Sequence, residues 1–293
     1  MMDHILVALL KAVCRLLPGD DHPDRSDYAP YFGSGLASSA RFFERLGGVE
    51  RLKDARVLDI GCGFGETCVY AVEQGAIKAV GLDSDGERID FARSYIKKCY
   101  PDIADQVELY IADTSQPVEN QRFDLILFKD SFEHIAEPEK ALAEIVKLLA
   151  PGGAVAIGNP PWKSVYGGHT NFMTSLPWLH LIFPERVVMK VRLSYRPDDP
   201  ATCYEEVRGG MNRMTVAKFK NIMAATGLHE EFFALNQGTR PVHRVLRLLS
   251  KLPFGREIFA ANMYGVWRAN EEVRSSSRDA VSRVEGVTLT EVE

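Results

Sequence analysis

Between Ala55 and Asn159 short apolar runs alternate with amphipathic ones so regularly that few folds can accommodate the chain. "ARVLDI" (55–60), "KAVGLD" (78–83), "VELYIAD" (107–113), "FDLILFKD" (123–130) and "AVAIGN" (154–159) read as buried strands. Helical patterns fill the gaps over 66–75, 85–100 and 137–153. Gly75 stops the first and Pro101 the second, while Pro138 opens the third and Gly152–Gly153 close it. Strands separated by helices of this length must cross over and run parallel, which gives an α/β fold with an open, doubly wound, mostly parallel sheet. Such sheets take ligands at the carboxyl ends of their strands, here residues 59–66, 83–84, 113–114, 129–134 and 159–170.

Outside that stretch the organisation changes. Residues 1–48 form an N-terminal helical segment or lid, 49–159 the core, and 160–214 a cap inserted after strand five, rich in Pro, Trp, Tyr and His. Residues 215–269 return to the core with helices over 215–227 and 242–252, a strand over 229–235 and a last strand within 258–269, making seven strands. The tail 270–293, with "SSSR" and several Glu, is expected to be disordered.

"ILVALLKAVCRLL" (5–17) is too short to span a bilayer and is interrupted by Lys11 and Arg15. It is expected to pack on the domain or on a partner subunit as in a homodimer, with peripheral membrane contact as the alternative. A formal charge of −5 argues against a nucleic-acid partner, since phosphate binding needs clustered Lys and Arg. Five scattered cysteines without CxxC spacing read as reduced thiols of a cytoplasmic protein and give no zinc site.

"VLDIGCGFGE" places Gly61, Gly63 and Gly65 between a strand and a helix, where a ligand can approach bare backbone. A dinucleotide turn wants a further glycine at 66, but Glu66 stands there and would repel a pyrophosphate. Asp59, Asp83 and Asp113 end three successive strands. Around this loop they suit a cationic nucleoside amino acid.

Residues 50–160 resemble the class I S-adenosylmethionine-dependent methyltransferases of the small-molecule branch. "VLDIGCGFG", "GLD", "IADTS", "FDLILFKDSFEHI" and "LLAPGG" are similar to that family's motifs in order and spacing. The resemblance implies a Rossmann-like fold with S-adenosylmethionine as cofactor and S-adenosylhomocysteine as product. It places Asp59, Gly61 and Gly63 at the methionine moiety, Asp83 with Ser84 at the ribose, and Asp113 with Thr114 at the adenine. The Lys129 backbone would face the sulfonium, and Tyr28, Tyr31 and Phe32 either close over the cofactor or belong to the core.

"NPPW" (159–162) is similar to the amine grip of methyltransferases acting on amide or exocyclic nitrogens, but that grip follows strand four, where this chain has "KDSF" (129–132). Here Pro160 and Pro161 stiffen the exit from strand five, with Trp162 as a wall. Candidate catalytic groups are His169 as leading base, then His134 and Asp130; His180 reads as a packed helix residue. An imidazole near its ordinary value of about 6.5 would make turnover rise through that pH. Asp130 is followed after strand five by Gly158–Asn159 rather than Asp-Asn, so no metal is expected. Asn212 and Arg213 are expected at the pocket's border. Trp162, Tyr166, Phe172, Trp178, Phe183, Tyr195 and Tyr204 in the cap imply a small, largely apolar or aromatic acceptor, methylated by preference at a hydroxyl. C- or N-methylation of a quinone-like, lipid-like or natural-product intermediate is the alternative within enzymes, and a non-catalytic cofactor-binding partner protein the alternative outside them.

Overall fold

A computed structural model describes residues 2–20, 28–112, 118–238 and 241–270. Asp113, Thr114 and the tail beyond 270 lie outside them. Seven strands form one sheet: β1 (Arg56–Ile60), β2 (Lys78–Asp83), β3 (Val107–Ile111), β4 (Phe123–Lys129), β5 (Leu149–Asn159), β6 (His229–Leu235) and β7 (Met263–Arg268). Their order is β3-β2-β1-β4-β5-β7-β6, with β1 to β5 parallel and β7 antiparallel to both neighbours. The expected Rossmann-like, mostly parallel sheet is therefore present.

Parity along the strands builds two cores. Val57, Leu125, Leu127 and Ala156 point to one face, where α2 (Ala29–Arg45), α3 (Glu66–Glu73) and α4 (Gly86–Cys99) cover them. Leu58, Ile126, Phe128 and Ile157 point to the other, against α5 (Pro138–Ile145) and α8 (Val216–Ala225). Helix starts follow local chemistry: Asp85 accepts from the Arg88 N–H at 3.3 Å at the start of α4, and Thr215 Oγ1 from the Lys218 N–H at 3.1 Å at the start of α8.

One boundary differs from expectation. The helix expected over 137–153 ends at Ile145 and continues only as a single tight turn, Val146–Leu148, before β5 begins at Leu149. Pro151 disfavours helical backbone at Ala150, and Leu149 instead pairs with Phe123 ahead of a register shift in β4.

The N-terminal segment divides. The α2 helix joins the sheet, whereas α1 (Met2–Leu16) packs on α7 (Glu185–Arg192) within residues 160–214. Leu10 and Cys14 enter a third core with Leu179, Val187, Val191 and Met211. Thr174 Oγ1 and the Ser175 N–H both donate to the Leu17 carbonyl, extending this seam. The outer faces of α1 and α9 (Pro241–Leu249) leave apolar side chains in solvent, among them Ile5 and Leu248. Among the described residues no helix is long and apolar enough to cross a membrane.

Leu10 is fully buried and its neighbour Leu9 is 51% exposed. Leu10→Ala is expected to destabilise the chain by about 2–5 kcal/mol through the cavity it leaves. Leu9→Ala should cost no more than about 0.5 kcal/mol; urea unfolding of both variants measures the difference.

Candidate active site

The glycine turn after β1 is shaped by a close approach. At Gly61, φ is +73°, and a Cβ there would lie 2.5 Å from the Ser131 Cβ, so only glycine fits between β1 and the turn after β4. The Ser131 hydroxyl locks that contact by donating to the Ile60 carbonyl at 2.5 Å. At Gly63 the backbone is again left-handed, but nothing lies within 4 Å of a Cβ, which leaves room for a ligand. Asp83 ties the turn to β2, with one carboxylate oxygen accepting from the Gly63 N–H at 2.8 Å and the other from the Asp85 N–H at 2.9 Å. Each oxygen keeps lone-pair capacity for hydroxyls.

A cleft of about 640 Å³ opens over these strand ends. Gly61, Asp83, Ser84, Asp130, Ser131 and His134 line it. Of the three aromatics upstream, Phe32 is fully buried against Tyr95 and Tyr100 and belongs to the core. Tyr28 and Tyr31 instead lie over Phe64 of the glycine turn, at centroid distances of 4.9 and 6.5 Å.

Asp59 is 2% exposed, and its Oδ1 has no hydrogen-bond partner. Burial raises its carboxyl from 3.8 to about 7; Lys129 opposes the rise, and Glu66 and Asp83 add to it. Lys129 turns its side chain to Glu66, with Nζ 3.9 Å from Oε1, while the other Glu66 oxygen is buried and unpartnered. Burial also raises Glu66, again opposed by Lys129. Glu66 therefore makes the pit behind the glycine turn short of positive charge. An orphaned carboxylate oxygen beside an open glycine turn is the observation that fits a ligand with a cationic amino group.

The catalytic candidates separate. Asp130 opens onto the cleft at the end of β4 with a left-handed φ of +52°, a backbone state that is strained for a non-glycine residue. Protein packed around its carboxyl raises its pKa, against Lys129, Arg45 and His134. His169 lines a second cavity of about 400 Å³ rather than the cleft itself. Its side chain is 39% exposed there, yet burial of the ring, then His134 and His180, lower its pKa to about 4. The ordinary imidazole value does not hold, because the enclosure penalises the charged ring; the turnover rise through pH 6.5 expected from His169 is therefore withdrawn. His134, Arg88 and Arg208 line both cavities, so His134 stands at their junction.

Other expected residues have structural roles. His180 is buried on α6 (Leu179–Ile182), with Nε2 2.6 Å from the Trp162 carbonyl. Trp162 packs edge-on against His180 and Tyr204 inside the third core instead of lining either cavity. Asn159, at the end of β5, pairs with Met263 of β7, so "NPPW" does lie one strand past the amine-grip position. Asn212 and Arg213 do not border the cavities. Asn212 Nδ2 donates to the Phe132 and Ile135 carbonyls, each at 2.8 Å, and Arg213 pairs with Glu185 and Glu205.

Sequence reasoning missed Glu133, Arg88, Arg196 and Arg208. Glu133 is 3% exposed with both oxygens unpartnered, and burial followed by Asp130 repulsion raises its carboxyl well above the usual range. A glutamate set between Phe132 and His134, in a turn directly after a buried strand, was the available signal.

The doubly wound sheet thus carries an acidic pit behind its glycine turn and a cleft leading to a second cavity. Residues 58–157 match the family model described as "Methyltransferase domain". It is similar to norajmaline N-methyltransferase of Rauvolfia serpentina, 31% identical over 106 residues, which are 36% of each chain. It is also similar to chloroplastic tocopherol O-methyltransferase of Arabidopsis thaliana, 28% identical over 42% of this chain and 35% of that one. The chain spans about a third of the length of these two curated relatives. A solved S-adenosylmethionine-dependent methyltransferase from Mesorhizobium loti shares the fold with a TM-score of 0.53 at 17% identity, over 80% of this chain and all of that one.

The raised Asp59 carboxyl has a measurable consequence. A folded value above the unfolded one means the native state holds a proton the unfolded chain has released, so stability falls as pH rises from about 4 to about 7. In the ligand-free chain, Asp59→Asn is expected to remove that share of the fall and gain roughly 1–3 kcal/mol over the wild type at pH 7.5, with little gain at pH 4. Urea unfolding at both pH values checks it.

Proposed function

We propose that this chain is an S-adenosylmethionine-dependent methyltransferase acting in the cytoplasm on a small molecule, by preference at a hydroxyl. The observation that carries the reading is the buried, half-unpartnered Asp59 carboxylate beside the open turn at Gly63, which suits an ammonium group where a dinucleotide phosphate would be repelled. Asp83, with Ser84 beside it, accepts the ribose hydroxyls, and the Lys129 backbone borders the sulfonium end. Asp113 and Thr114 remain the proposed adenine contacts. When bound, S-adenosylmethionine would supply the methyl group and leave as S-adenosylhomocysteine.

The acceptor enters the second cavity, whose walls mix Phe172, Tyr204 and Met211 with Arg88, Arg196 and Arg208. A largely apolar body with an acidic group matches that lining better than a wholly apolar one. Asp130 lines the cleft that the methyl donor would occupy, and is the group suited to take a proton from an acceptor that reaches from the second cavity past His134 at the junction. Burial raises its carboxyl, which strengthens it as a base. An acceptor carbon or nitrogen needs less of such a base, which is what separates the C- and N-methylation alternatives from this one.

The exposed apolar faces of α1 and α9, flanked by Lys11, Arg15, Arg244 and Lys251, support peripheral contact with an anionic membrane surface. Flotation of the chain with phosphatidylserine vesicles is the expected result, and recovery of all protein in the vesicle-free fraction would remove this part of the proposal.

Calorimetry is expected to show S-adenosylhomocysteine bound and NAD bound negligibly, with Asp83→Ala weakening the former by roughly 1.5–3 kcal/mol. Asp130→Asn should keep that affinity and lower hydroxyl methylation by roughly two to four orders of magnitude. NAD binding as tight as that of the homocysteine product would sink the cofactor assignment. Full turnover in Asp130→Asn would sink the base.

A further inference from the structure

We infer that Glu133, His134 and His169 form a binding site for one divalent transition-metal ion of the zinc or iron(II) kind, with its open coordination positions facing the second cavity. The cluster is compact: one ligand atom from each residue lies within 4.8 Å of the others, and His169 Nε2 is 3.8 Å from Glu133 Oε1. Nitrogen and oxygen ligands about 2.1 Å from a tetrahedral centre stand about 3.4 Å apart, so adjustments of about an ångström close the triad on an ion.

Independent of that spacing, Glu133 is 3% exposed and neither of its oxygens meets a hydrogen-bond donor. Burying a carboxyl group without partners is costly, and a cation shared with two imidazoles removes the cost. The rings are prepared as ligands. His134 Nδ1 lies 2.6 Å from the Gly210 carbonyl, which can only accept, so Nδ1 carries the hydrogen and the Nε2 lone pair is free. His169 is held at a left-handed φ of +49°, following Gly168, where a Cβ would strike His180.

The short turn Phe132–His134 that carries the other two ligands is pinned by Asn212. Its amide group donates to the Phe132 and Ile135 carbonyls, and its backbone N–H donates to the Glu133 carbonyl at 2.9 Å. These are the outer contacts that fix a ligand set before the ion arrives. Two imidazoles and one carboxylate select a borderline ion such as zinc or iron(II) over magnesium, which prefers oxygen ligands throughout. The sequence argument against a metal concerns the strand-five end at Gly158–Asn159 and does not reach this turn. On the acceptor reading proposed above, an ion here would polarise the acceptor's hydroxyl at the junction of the two cavities.

Cobalt(II), a coloured stand-in for zinc, tests the site without methyl donor or acceptor, so its failure leaves the methyl-transfer reading untouched. The 293-residue chain, stripped with a chelator, is expected to bind one cobalt ion and show visible ligand-field absorption. Cys99→Ser, which removes the exposed thiol, should change neither. Glu133→Gln and His169→Asn should each weaken binding at least about tenfold and alter the spectrum. Metal-free thermal unfolding shows whether each variant is folded; should the buried Glu133 variant fail, the partly exposed His169 variant decides. Absence of stoichiometric binding by the wild type, or unchanged affinity and spectrum in the folded variants, overturns the site.

Discussion

Removal of carboxylates from water at neighbouring strand ends is the constraint around which this molecule is built. Asp59 at the end of β1, Glu66 at the start of α3 and Glu133 just past β4 each leave at least one oxygen buried and unpartnered. Lys129 stands near the first two and balances them incompletely, since burial still raises both carboxyls. Close packing of the glycine turn against Ser131 closes one side of this region. A pocket prepared in this way favours cations, because desolvation already incurred in folding strengthens each later electrostatic contact.

The fold was readable because its signals are local. Strand parity, Gly75, Pro101 and the capping Asp85 and Thr215 each act within a few residues. The misplaced start of β5 shows where that fails: Leu149 joins the sheet by pairing with Phe123, a partner distant in sequence that periodicity does not reveal. Within the site, the glycines and Asp83 were legible because strand ends converge by topology. Glu133 and the His169 environment were not, since their behaviour depends on what encloses them. His169 was read with a free imidazole's proton affinity, and only the packing that brings His134 and His180 near it lowers that affinity.

The cap explains a further group of misreadings. Trp162, Asn212 and Arg213 carry side chains that elsewhere line sites, yet here they brace the cap and the turn after β4, with His180 packed among them as its apolar helix face implied. Their residue types were informative about the region, but their contacts are long-range in sequence and set by the third core. The second cavity instead takes its polarity from four arginines, Arg88, Arg192, Arg196 and Arg208, against the carboxylates of Asp198 and Asp199, with two of the arginines held in Arg192–Asp199 and Arg208–Asp198 pairs.

That third core contains α1, with Leu10 and Cys14 packed among cap residues rather than on the sheet. Mechanically, this helix is a buttress for the second cavity, whose lining residues Tyr204 and Met211 share that core. A fusion partner or a shortened start would disturb that cavity before it reached the glycine turn, so changes in these first turns are a route to reshaping the chamber without touching the sheet.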